Sequence, residues 1–332
     1  MTAPKCGICI QQKQYCNKID TAIMASFSGV TTLTDIAVNL DEIFDEDWNH
    51  VLLRARENNV GRIIITGVDL EVSKNAIKFC RQWNASGSIL PRLYTTVGLH
   101  PTNTKQADET GLSTEEYEQK LLEVAIDGMQ DKTVVFIGEC GLDYDRFSYA
   151  DLDTQKKWFL MHLNLSRITG LPLFLHERNT NNFLLNWIKE SGGIPNGAVV
   201  HSFTGNMEDR DNALALPNVY ISINGCSLRT IEQCDVISGI PLDKILFETD
   251  APWCSIKPTS PCFVHTEKLP YNIIKRKKGG IPREDTMIKD RNEPVMVTQV
   301  IRCYAALTQS SIECAANCAE ENIQKLLGKF MY

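Results

Sequence analysis

The sequence predicts an α/β protein built as a single TIM-type (β/α)8 barrel. Three observations lead to this prediction. Apolar runs alternate with amphipathic segments in a βαβ rhythm, eight such runs are present, and several of them end in a side chain that can bind a metal ion. A chain of 332 residues that is 43% hydrophobic also suits one large domain with a buried core.

Eight short segments rich in Val, Ile, Leu or aromatic residues are predicted as strands. They are residues 33–39, 62–66, 93–98, 134–138, 173–175, 198–201, 219–223 and 245–248. Between them, apolar residues recur at intervals of three and four, which predicts helices over residues 47–58, 71–83, 114–129, 154–169 and 181–190, with a final helix over 294–307. Parallel strands joined by helices follow from this order.

The chain divides into a leader and one domain. Residues 1–30 are polar, bear cysteines and lack a clear period, so we expect a disordered leader; residues 31–332 are expected to form the barrel, with a long insertion at 255–289. A doubly wound open sheet is the alternative, but it places ligands at a single switch point, whereas here polar residues mark most strand ends.

Charge and cysteine usage narrow the classes of protein. A net charge of -7 argues against holding long polyanions on a basic surface, so any nucleic-acid binding must be local. The local candidates are bound metal ions, Arg178, Arg229 and the run Lys275, Arg276, Lys277 and Lys278, for which a solvated loop is an equally good interpretation.

Twelve cysteines scattered through a large domain indicate reduced thiols rather than a disulfide scaffold. Cys6, Cys9 and Cys16 lack a fourth zinc ligand at finger spacing, and Cys140 and Cys254 are predicted to be small buried residues rather than nucleophiles. Neither a membrane-spanning run nor a secretory signal is apparent, so we expect an intracellular protein of the cytoplasm or nucleus, with mitochondrial import a minor alternative.

Four metal-competent side chains each follow a separate apolar run: Glu139, His176, His201 and Asp250. Closing the strands into a barrel brings their carboxyl ends together, so these side chains are predicted to converge on one divalent metal centre. Structural zinc sites use ligands close in sequence, whereas these are spread from position 139 to position 250. The pattern therefore indicates an open, catalytic site, with Glu139 able to bridge two ions.

Other polar residues near the same strand ends are candidates for substrate contacts. His100 is predicted either to protonate a leaving oxygen or bind phosphate, or only to stabilise its loop. Arg178 is predicted to clamp phosphate, with a surface ion pair as the alternative. Ser202 and Thr204 offer hydroxyl groups, or form a plain turn.

Two carboxylates are expected to support the site from behind. Asp143, predicted to lie in the loop after Glu139, is a candidate for orienting a ligand or a water molecule. Glu293 is predicted to buttress that loop through hydrogen bonds.

The ordered strings DIAVNL, GLHPTN, IGECGLDYDR, LFLHER, VVHSFTG, INGCSLRT, ETDAPWC and KDRNEP resemble the TatD family of metal-dependent deoxyribonucleases, over roughly residues 33–328. The resemblance implies a TIM barrel of the metallo-dependent hydrolase type that cleaves phosphodiester bonds in DNA, often from the 3' end of single strands. It also implies that Glu139 bridges two ions, that His176 and His201 bind one of them and that Asp250 binds the other.

The first strand departs from the wider superfamily, in which a His-x-His pair is common, because Ala37 and Asn39 occupy those positions. With fewer nitrogen ligands, Mg²⁺ is favoured, with Mn²⁺ or Zn²⁺ as alternatives and either one or two ions bound. Asn39 is a candidate to offer an amide oxygen.

The predicted reaction is attack on phosphorus by metal-activated water, with Asp250 as base. Alternatives are a related hydrolase of an ester or amide, such as an aminoacyl-tRNA deacylase, and a non-catalytic nucleic-acid-binding scaffold. The intact ligand set argues against the scaffold.

Overall fold

The computed structural model describes residues 29–30, 32–39, 47–86, 91–275 and 283–331. Most of the predicted leader, including Cys6, Cys9 and Cys16, lies outside the described residues, as does the basic run except for Lys275, which is exposed. The division into a leader and one barrel domain therefore stays a prediction. No helix within the described ranges is long and apolar enough to cross a membrane.

Eight parallel strands form one sheet in the order of the chain, which confirms the predicted TIM-barrel class. They are β1 (Leu33–Asn39), β2 (Val60–Thr66), β3 (Arg92–Val97), β4 (Val134–Asp143), β5 (Leu173–Arg178), β6 (Ala198–His201), β7 (Val219–Ile223) and β8 (Ile245–Phe247).

Helices connect these strands, and two more follow the last strand. They are α1 (Trp48–Glu57), α2 (Leu70–Asn84), α3 (Thr104–Glu109), α4 (Thr114–Gln130), α5 (Leu152–Thr169), α6 (Phe183–Glu190), α7 (Met207–Leu214), α8 (Ile231–Ser238), α9 (Val297–Thr308) and α10 (Ile312–Met331). Where residues 294–307 were predicted as one helix, a 3-10 turn at Pro294–Met296 precedes α9. The predicted insertion contains a 3-10 helix at Pro261–His265 and a small parallel sheet of β9 (Asn272–Ile274) and β10 (Thr286–Ile288).

The barrel closes between its last and first strands. Beyond β8, the Asp250 N–H donates to the Ala37 carbonyl at 2.9 Å, and the Asn39 N–H donates to the Ala251 carbonyl at 2.8 Å. The buried Asp35 carboxylate accepts hydrogen bonds from the hydroxyl of Thr249 at 2.5 Å and from its N–H at 2.9 Å. These contacts hold the segment that carries Asp250 against β1.

The barrel interior is filled by a layer to which every strand contributes. Its members include Ile36, Ile64, Tyr94, Phe136, Phe174, Val199, Tyr220 and Leu246, all buried. In β2 the flanking Ile63 and Ile65 belong instead to the larger cluster that packs against the surrounding helices, as the alternation of side chains along a strand requires.

Helix α10 plugs the end of the barrel where the strands begin. Its Leu326, Leu327 and Met331 pack on the interior layer, and the Asn322 amide donates to the carbonyls of Leu242 and Ile245. The opposite end, where the strands finish, is therefore the one that offers a site for ligands.

Glu293 takes part in a buried ion-pair network. It receives two hydrogen bonds from Arg54, at 2.8 and 3.0 Å, and one from Arg291 at 2.8 Å, and Arg291 also pairs with Asp47. The prediction that Glu293 buttresses the loop of Asp143 is wrong, because its partners lie on α1 and on the RNEP segment itself. Glu293 instead ties α1 to the start of the C-terminal helices.

Candidate functional site

An irregularity in β4 aims Glu139 into the barrel mouth. In the pairing with β5, Gly138 faces Phe174 and Cys140 faces Leu175, so Glu139 is skipped, and its N–H donates to the Gly67 carbonyl at 2.9 Å. Such bulges redirect a side chain. Gly138 has φ +139° and a Cβ there would lie 2.3 Å from the Phe174 carbonyl oxygen, so the local backbone requires glycine.

Three histidines converge on one oxygen of Glu139. Nδ1 of His176 and Nε2 of His201 each lie 2.7 Å from Oε1, and Nε2 of His100 lies 3.2 Å from it. The imidazoles of His100 and His176 also touch, with 3.2 Å between ring nitrogens. The structure thus brings together three of the four predicted metal ligands and adds His100 to them.

The spacing along the strands explains this convergence. His176 and His201 stand two residues beyond the interior side chains Phe174 and Val199, so the alternation of β5 and β6 points them inward, one layer nearer the mouth. His100 follows β3 in a loop whose His100 N–H donates to the Val68 carbonyl at 2.9 Å. The neighbouring Leu99 N–H donates to His162 of α5 at 2.9 Å, which holds that loop in place.

Two carboxylates face the histidines from behind. Oδ2 of Asp143 lies 3.1 Å from His176 Nε2, which supports the predicted orienting role, although Asp143 ends β4 rather than lying in a loop. Oε1 of Glu248 lies 3.5 Å from His201 Nδ1, and this contact is electrostatic, since Nδ1 has no hydrogen-bond partner within the described part of the chain. Carboxylates so placed fix the orientation of ligating imidazoles and make them more basic.

The buried charges compensate one another. Burial disfavours the charge on Glu139, but the imidazoles of His201 and His100 hold its pKa well below the usual value. Burial likewise opposes the charge on His201, yet Glu139 and Glu248 raise its pKa well above the usual value. Burial lowers the pKa of His100, with Glu139 opposing it.

Asp250 stands at the edge of this cluster. Burial raises its pKa to about 6, the positive charge of His201 opposes that rise, and the carboxylates of Glu248 and Glu139 add to it. Its Oδ1 accepts a hydrogen bond from the Asn39 side chain at 2.9 Å, and its Oδ2 accepts one from the Cys254 thiol at 3.2 Å. Asn39, predicted to offer an oxygen, thus uses its amide nitrogen to position Asp250.

The donor set fits a divalent cation. Ligand atoms of His100, Glu139 and His176 all lie within 4.8 Å of one another, and His201 reaches the same carboxylate oxygen. Neutral imidazole and carboxylate are the usual ligands of such ions. Three imidazole nitrogens lie close to the single oxygen Oε1 of Glu139. A cation bound among them would stabilise this arrangement, because it would replace the protons that the imidazoles and the carboxylate share.

Two arginines border the cluster. Arg178, at the end of β5, is half-buried, and its Nε has no hydrogen-bond partner among the residues that the structure describes. Arg229 is exposed and donates from Nη2 to the Cys226 sulfur at 2.8 Å. The hydrogen bond to Cys254 lowers the pKa of the Cys226 thiol, and burial opposes this shift. The positive charges of Arg229 and Arg178 lower the same pKa further. Both guanidinium groups therefore act on the Cys226 sulfur, near Asp250.

The residues of the HSFTG string are less open to substrate than predicted. Ser202 is buried with φ +48°, its hydroxyl accepts a hydrogen bond from the Asn224 side chain at 2.9 Å, and its N–H donates to Glu248 at 3.0 Å. Thr204 is half-buried beyond it. Substrate binding by Ser202 and Thr204 stays a prediction.

Sequence reasoning missed Glu248, Asn224 and His162 as supports of the site. A usable signal existed for Glu248, because it stands two residues beyond the interior Leu246, as His176 and His201 stand beyond their own interior residues. Asn224 and His162 carry no comparable signal, since their partners lie far away in the chain.

Comparison with known proteins identifies the family of this chain. A family model described as TatD related DNase matches residues 34–328. A protein of Schizosaccharomyces pombe named deoxyribonuclease Tat-D is 36% identical over 287 residues, covering 86% of this chain and 88% of that protein. A protein of Escherichia fergusonii named 3'-5' ssDNA/RNA exonuclease TatD is 28% identical over 302 residues, covering 89% and 98%.

A solved structure adds the fold. The crystal structure of a hydrolase of the TatD family from Entamoeba histolytica matches with a TM-score of 0.79 and 29% identity, covering 90% of this chain and 98% of that one. The family match covers β1 from its second residue, the other seven strands in full and every residue of the histidine–carboxylate cluster. The chain therefore belongs to the family of TatD-related deoxyribonucleases and is a hydrolase of that family.

Proposed function

We propose that this protein is a divalent-metal-dependent nuclease that hydrolyses phosphodiester bonds in DNA, acting as a 3'-to-5' exonuclease on single strands. The observation that carries the proposal is the convergence of His100, His176 and His201 on one oxygen of Glu139 at the barrel mouth. The names of the relatives from S. pombe and E. fergusonii support the choice of a nucleic-acid substrate.

Glu139, His176 and His201 would hold the cation, with Asp250 completing the set and His100 beside it. When bound there, a divalent cation would neutralise phosphate oxygens and make a water molecule more acidic. His176 and His201 supply two imidazole nitrogens, and His100 lies close enough to add a third. We therefore propose that Zn²⁺ and Mn²⁺ bind more tightly than Mg²⁺, although Mg²⁺ is the cation expected to support turnover in a cell.

Asp250 accepts the proton of the attacking water. In the metal-free protein, burial raises the pKa of Asp250 to about 6, so its carboxylate is more basic than an exposed one and still mostly ionised near neutral pH. The hydrogen bond from Asn39 fixes the orientation of the carboxylate. His100 is placed to donate a hydrogen bond to a phosphate oxygen or a proton to the leaving sugar oxygen, because it lies beside Glu139 and remains partly exposed.

Arg178 and Arg229 bind the phosphate backbone. The positive charges of both arginines lower the pKa of Cys226, which lies near Asp250. Among the described residues, none accepts a hydrogen bond from Arg178 Nε, so this group can donate to a phosphate. Guanidinium groups bind phosphate bidentately, which orients the scissile bond as well as attracting it. A protein of net charge -7 needs such local contacts to retain DNA.

The test is degradation of single-stranded DNA labelled at its 5' or its 3' end, with Mg²⁺, Mn²⁺ or Zn²⁺ and with a chelator. The proposal predicts metal-dependent shortening from the 3' end, which Glu139→Ala abolishes while circular dichroism shows an intact fold. Glu71→Ala, on the exposed first turn of α2, is the matched control and should cleave like the wild type.

Folded, metal-loaded protein that cleaves neither DNA nor RNA would reject the nuclease proposal. Ester or amide hydrolysis would then be the next activity to assay. Cleavage of RNA alone would correct the substrate and keep the chemistry.

A further inference from the structure

Two cysteine thiols lie against each other at the rim of the candidate site. The sulfurs of Cys226 and Cys254 are 2.7 Å apart, with Cys226 in the 3-10 turn after β7 and Cys254 four residues after Asp250. A disulfide bond needs a sulfur separation of about 2.05 Å, so an approach of less than about 1 Å would join them.

The backbones that carry these thiols are already in contact. A Cβ at Gly225 would lie 2.3 Å from the carbonyl oxygen of Cys254 and 2.5 Å from the nitrogen of Ile256. Glycine at this position therefore allows the two segments to approach as closely as they do, and no large backbone movement separates the thiols from a bonded geometry.

Hydrogen bonds link the pair to Arg229 on one side and to Asp250 on the other. Arg229 Nη2 donates to the Cys226 sulfur at 2.8 Å, and the Cys254 thiol donates to Asp250 Oδ2 at 3.2 Å. A cation beside a sulfur favours its thiolate and hence its attack on an oxidant. The geometry therefore distinguishes Cys226 as the attacking sulfur and Cys254 as the sulfur that resolves the product.

A second thiol pair differs from the first in the distance between its sulfurs and in its exposure to solvent. Cys234 and Cys262 are also 28 positions apart, but their sulfurs are 3.3 Å apart and both residues are buried in the core. Cys226 is buried as well, but Cys254 is half-buried, so the first pair has a solvent-accessible side that the second pair lacks.

We propose that Cys226 and Cys254 form an oxidation site that takes a hydroperoxide and closes as a disulfide bond beside Asp250. The Cys226 thiol takes one oxygen from the peroxide and becomes a sulfenic acid, while the rest of the peroxide leaves as an alcohol or as water. The Cys254 thiol then displaces that oxygen as a water molecule, which leaves the disulfide. The bond removes the thiol proton that Cys254 donates to Asp250.

Peptide mapping of the folded full chain after treatment with hydrogen peroxide tests the site. Trypsin does not cut between Lys257 and Pro258, so one peptide carries both Cys254 and Cys262, and variants must assign the link. A cross-link from the Cys226 peptide that persists in Cys262→Ser and disappears in Cys254→Ser is the expected result. In Cys254→Ser, a 1,3-diketone probe should trap the sulfenic acid of Cys226.

Exposed Cys314 serves as the internal measure of oxidant dose. If Cys314 is oxidised while Cys226 and Cys254 are both recovered as free thiols, or if Cys234 and Cys262 link first, the proposal is overturned.

The effect on catalysis rests on the proposed function and is measured separately. Oxidised protein should cleave DNA at least fivefold more slowly, and a dithiol reductant should restore the rate. A mapped disulfide with an unchanged cleavage rate would overturn the link to Asp250. Absence of any nuclease activity in the reduced protein would instead reject the proposed function and leave the mapping result as it stands.

Discussion

Replacing Glu248 by glutamine tests whether the carboxylate behind His201 controls metal affinity. Glu248 is fully buried, and its Oε1 accepts hydrogen bonds from the Ser202 N–H at 3.0 Å and from the Asn224 side chain at 2.8 Å, while the Ser222 hydroxyl donates to Oε2. Glutamine keeps one acceptor for the first two donors, and the Ser222 hydroxyl can turn to accept from the new amide. The shape of the site is therefore preserved and only the charge is removed.

The expected cost divides into two parts. Exchanging charged hydrogen bonds for neutral ones should lower the free energy of unfolding by about 1 kcal/mol. Removing the negative charge that faces His201 Nδ1 at 3.5 Å should weaken metal binding about 10- to 100-fold, equal to about 1.4–2.7 kcal/mol. The affinity for the metal ion should thus suffer more than the fold.

Metal affinity is measured by calorimetric titration of chelator-treated protein, and stability by urea unfolding of the same samples. Glu177→Gln is the matched control, because Glu177 is buried on β5, next to the strand that carries His201, but accepts hydrogen bonds from the N–H and hydroxyl of Thr180 instead of facing a histidine. Its metal affinity should stay within about twofold of the wild type. A folded Glu248→Gln variant with wild-type metal affinity would show that the Glu248 charge does not control metal binding.

Three further predictions concern the scaffold, the loop of His100 and the substrate contacts. Arg54→Met leaves the buried carboxylates of Glu293 and Asp47 to share the single arginine Arg291. The uncompensated buried charge should lower the free energy of unfolding by about 3–5 kcal/mol in urea, and a loss under about 1 kcal/mol would contradict the network described above. Burial lowers the pKa of His162 from 6.5 to about 4, and the hydrogen bond to the Trp158 carbonyl opposes this shift. The stabilisation from keeping His162 neutral is therefore complete above pH 6.5 and is lost as the pH falls toward 4, by roughly 3 kcal/mol. His162→Gln, which can keep both backbone hydrogen bonds, should flatten unfolding free energy against pH in that window, and an unchanged slope would contradict this. Arg178→Met and Arg229→Met should each raise KM for single-stranded DNA and reduce the salt dependence of binding by about one phosphate contact, and an unchanged KM in both would reject the phosphate-binding role.

Much of the barrel could be predicted from its apolar runs. The bounds of β1, β6 and β7 match the predicted ranges, because each is a short buried run bounded by polar or turn residues. The strands β4 and β5 extend further than predicted, to Asp143 and Arg178, since their last residues are the glycines and charged groups that build the site. The ends of these strands could not be predicted from composition, because glycine and charged residues usually indicate a loop.

The later helices were harder to predict. Helix α7 has the sequence MEDRDNAL, in which few apolar residues reveal a period, and its start depends on Asn206, which caps the N–H groups of Glu208 and Asp209. Helix α10 was missed although its Leu326 and Leu327 are apolar. Helix α10 is buried because it packs against the interior layer of the barrel strands. That contact joins residues far apart in the chain, so no local sequence pattern predicts it.

The convergence of the candidate ligands could be predicted from the sequence, whereas the residues that support them could not. Glu139, His176 and His201 follow apolar runs, and barrel closure alone brings them together. The bulge that turns Glu139 inward depends on how β4 pairs with β5, and the contact between Cys226 and Cys254 depends on two loops meeting. Both are tertiary features that a single sequence does not encode locally.

The proposed metal centre is tested most directly by measuring bound metal and DNA cleavage in the same samples while a divalent cation is titrated into chelator-treated protein. We expect the cleavage rate to rise in proportion to metal occupancy. We also expect Glu139→Gln, which keeps the shape of the side chain, to lose both tight metal binding and cleavage. Full cleavage without bound metal, or tight binding that survives Glu139→Gln, would contradict the claim that this carboxylate and its histidines form the catalytic centre.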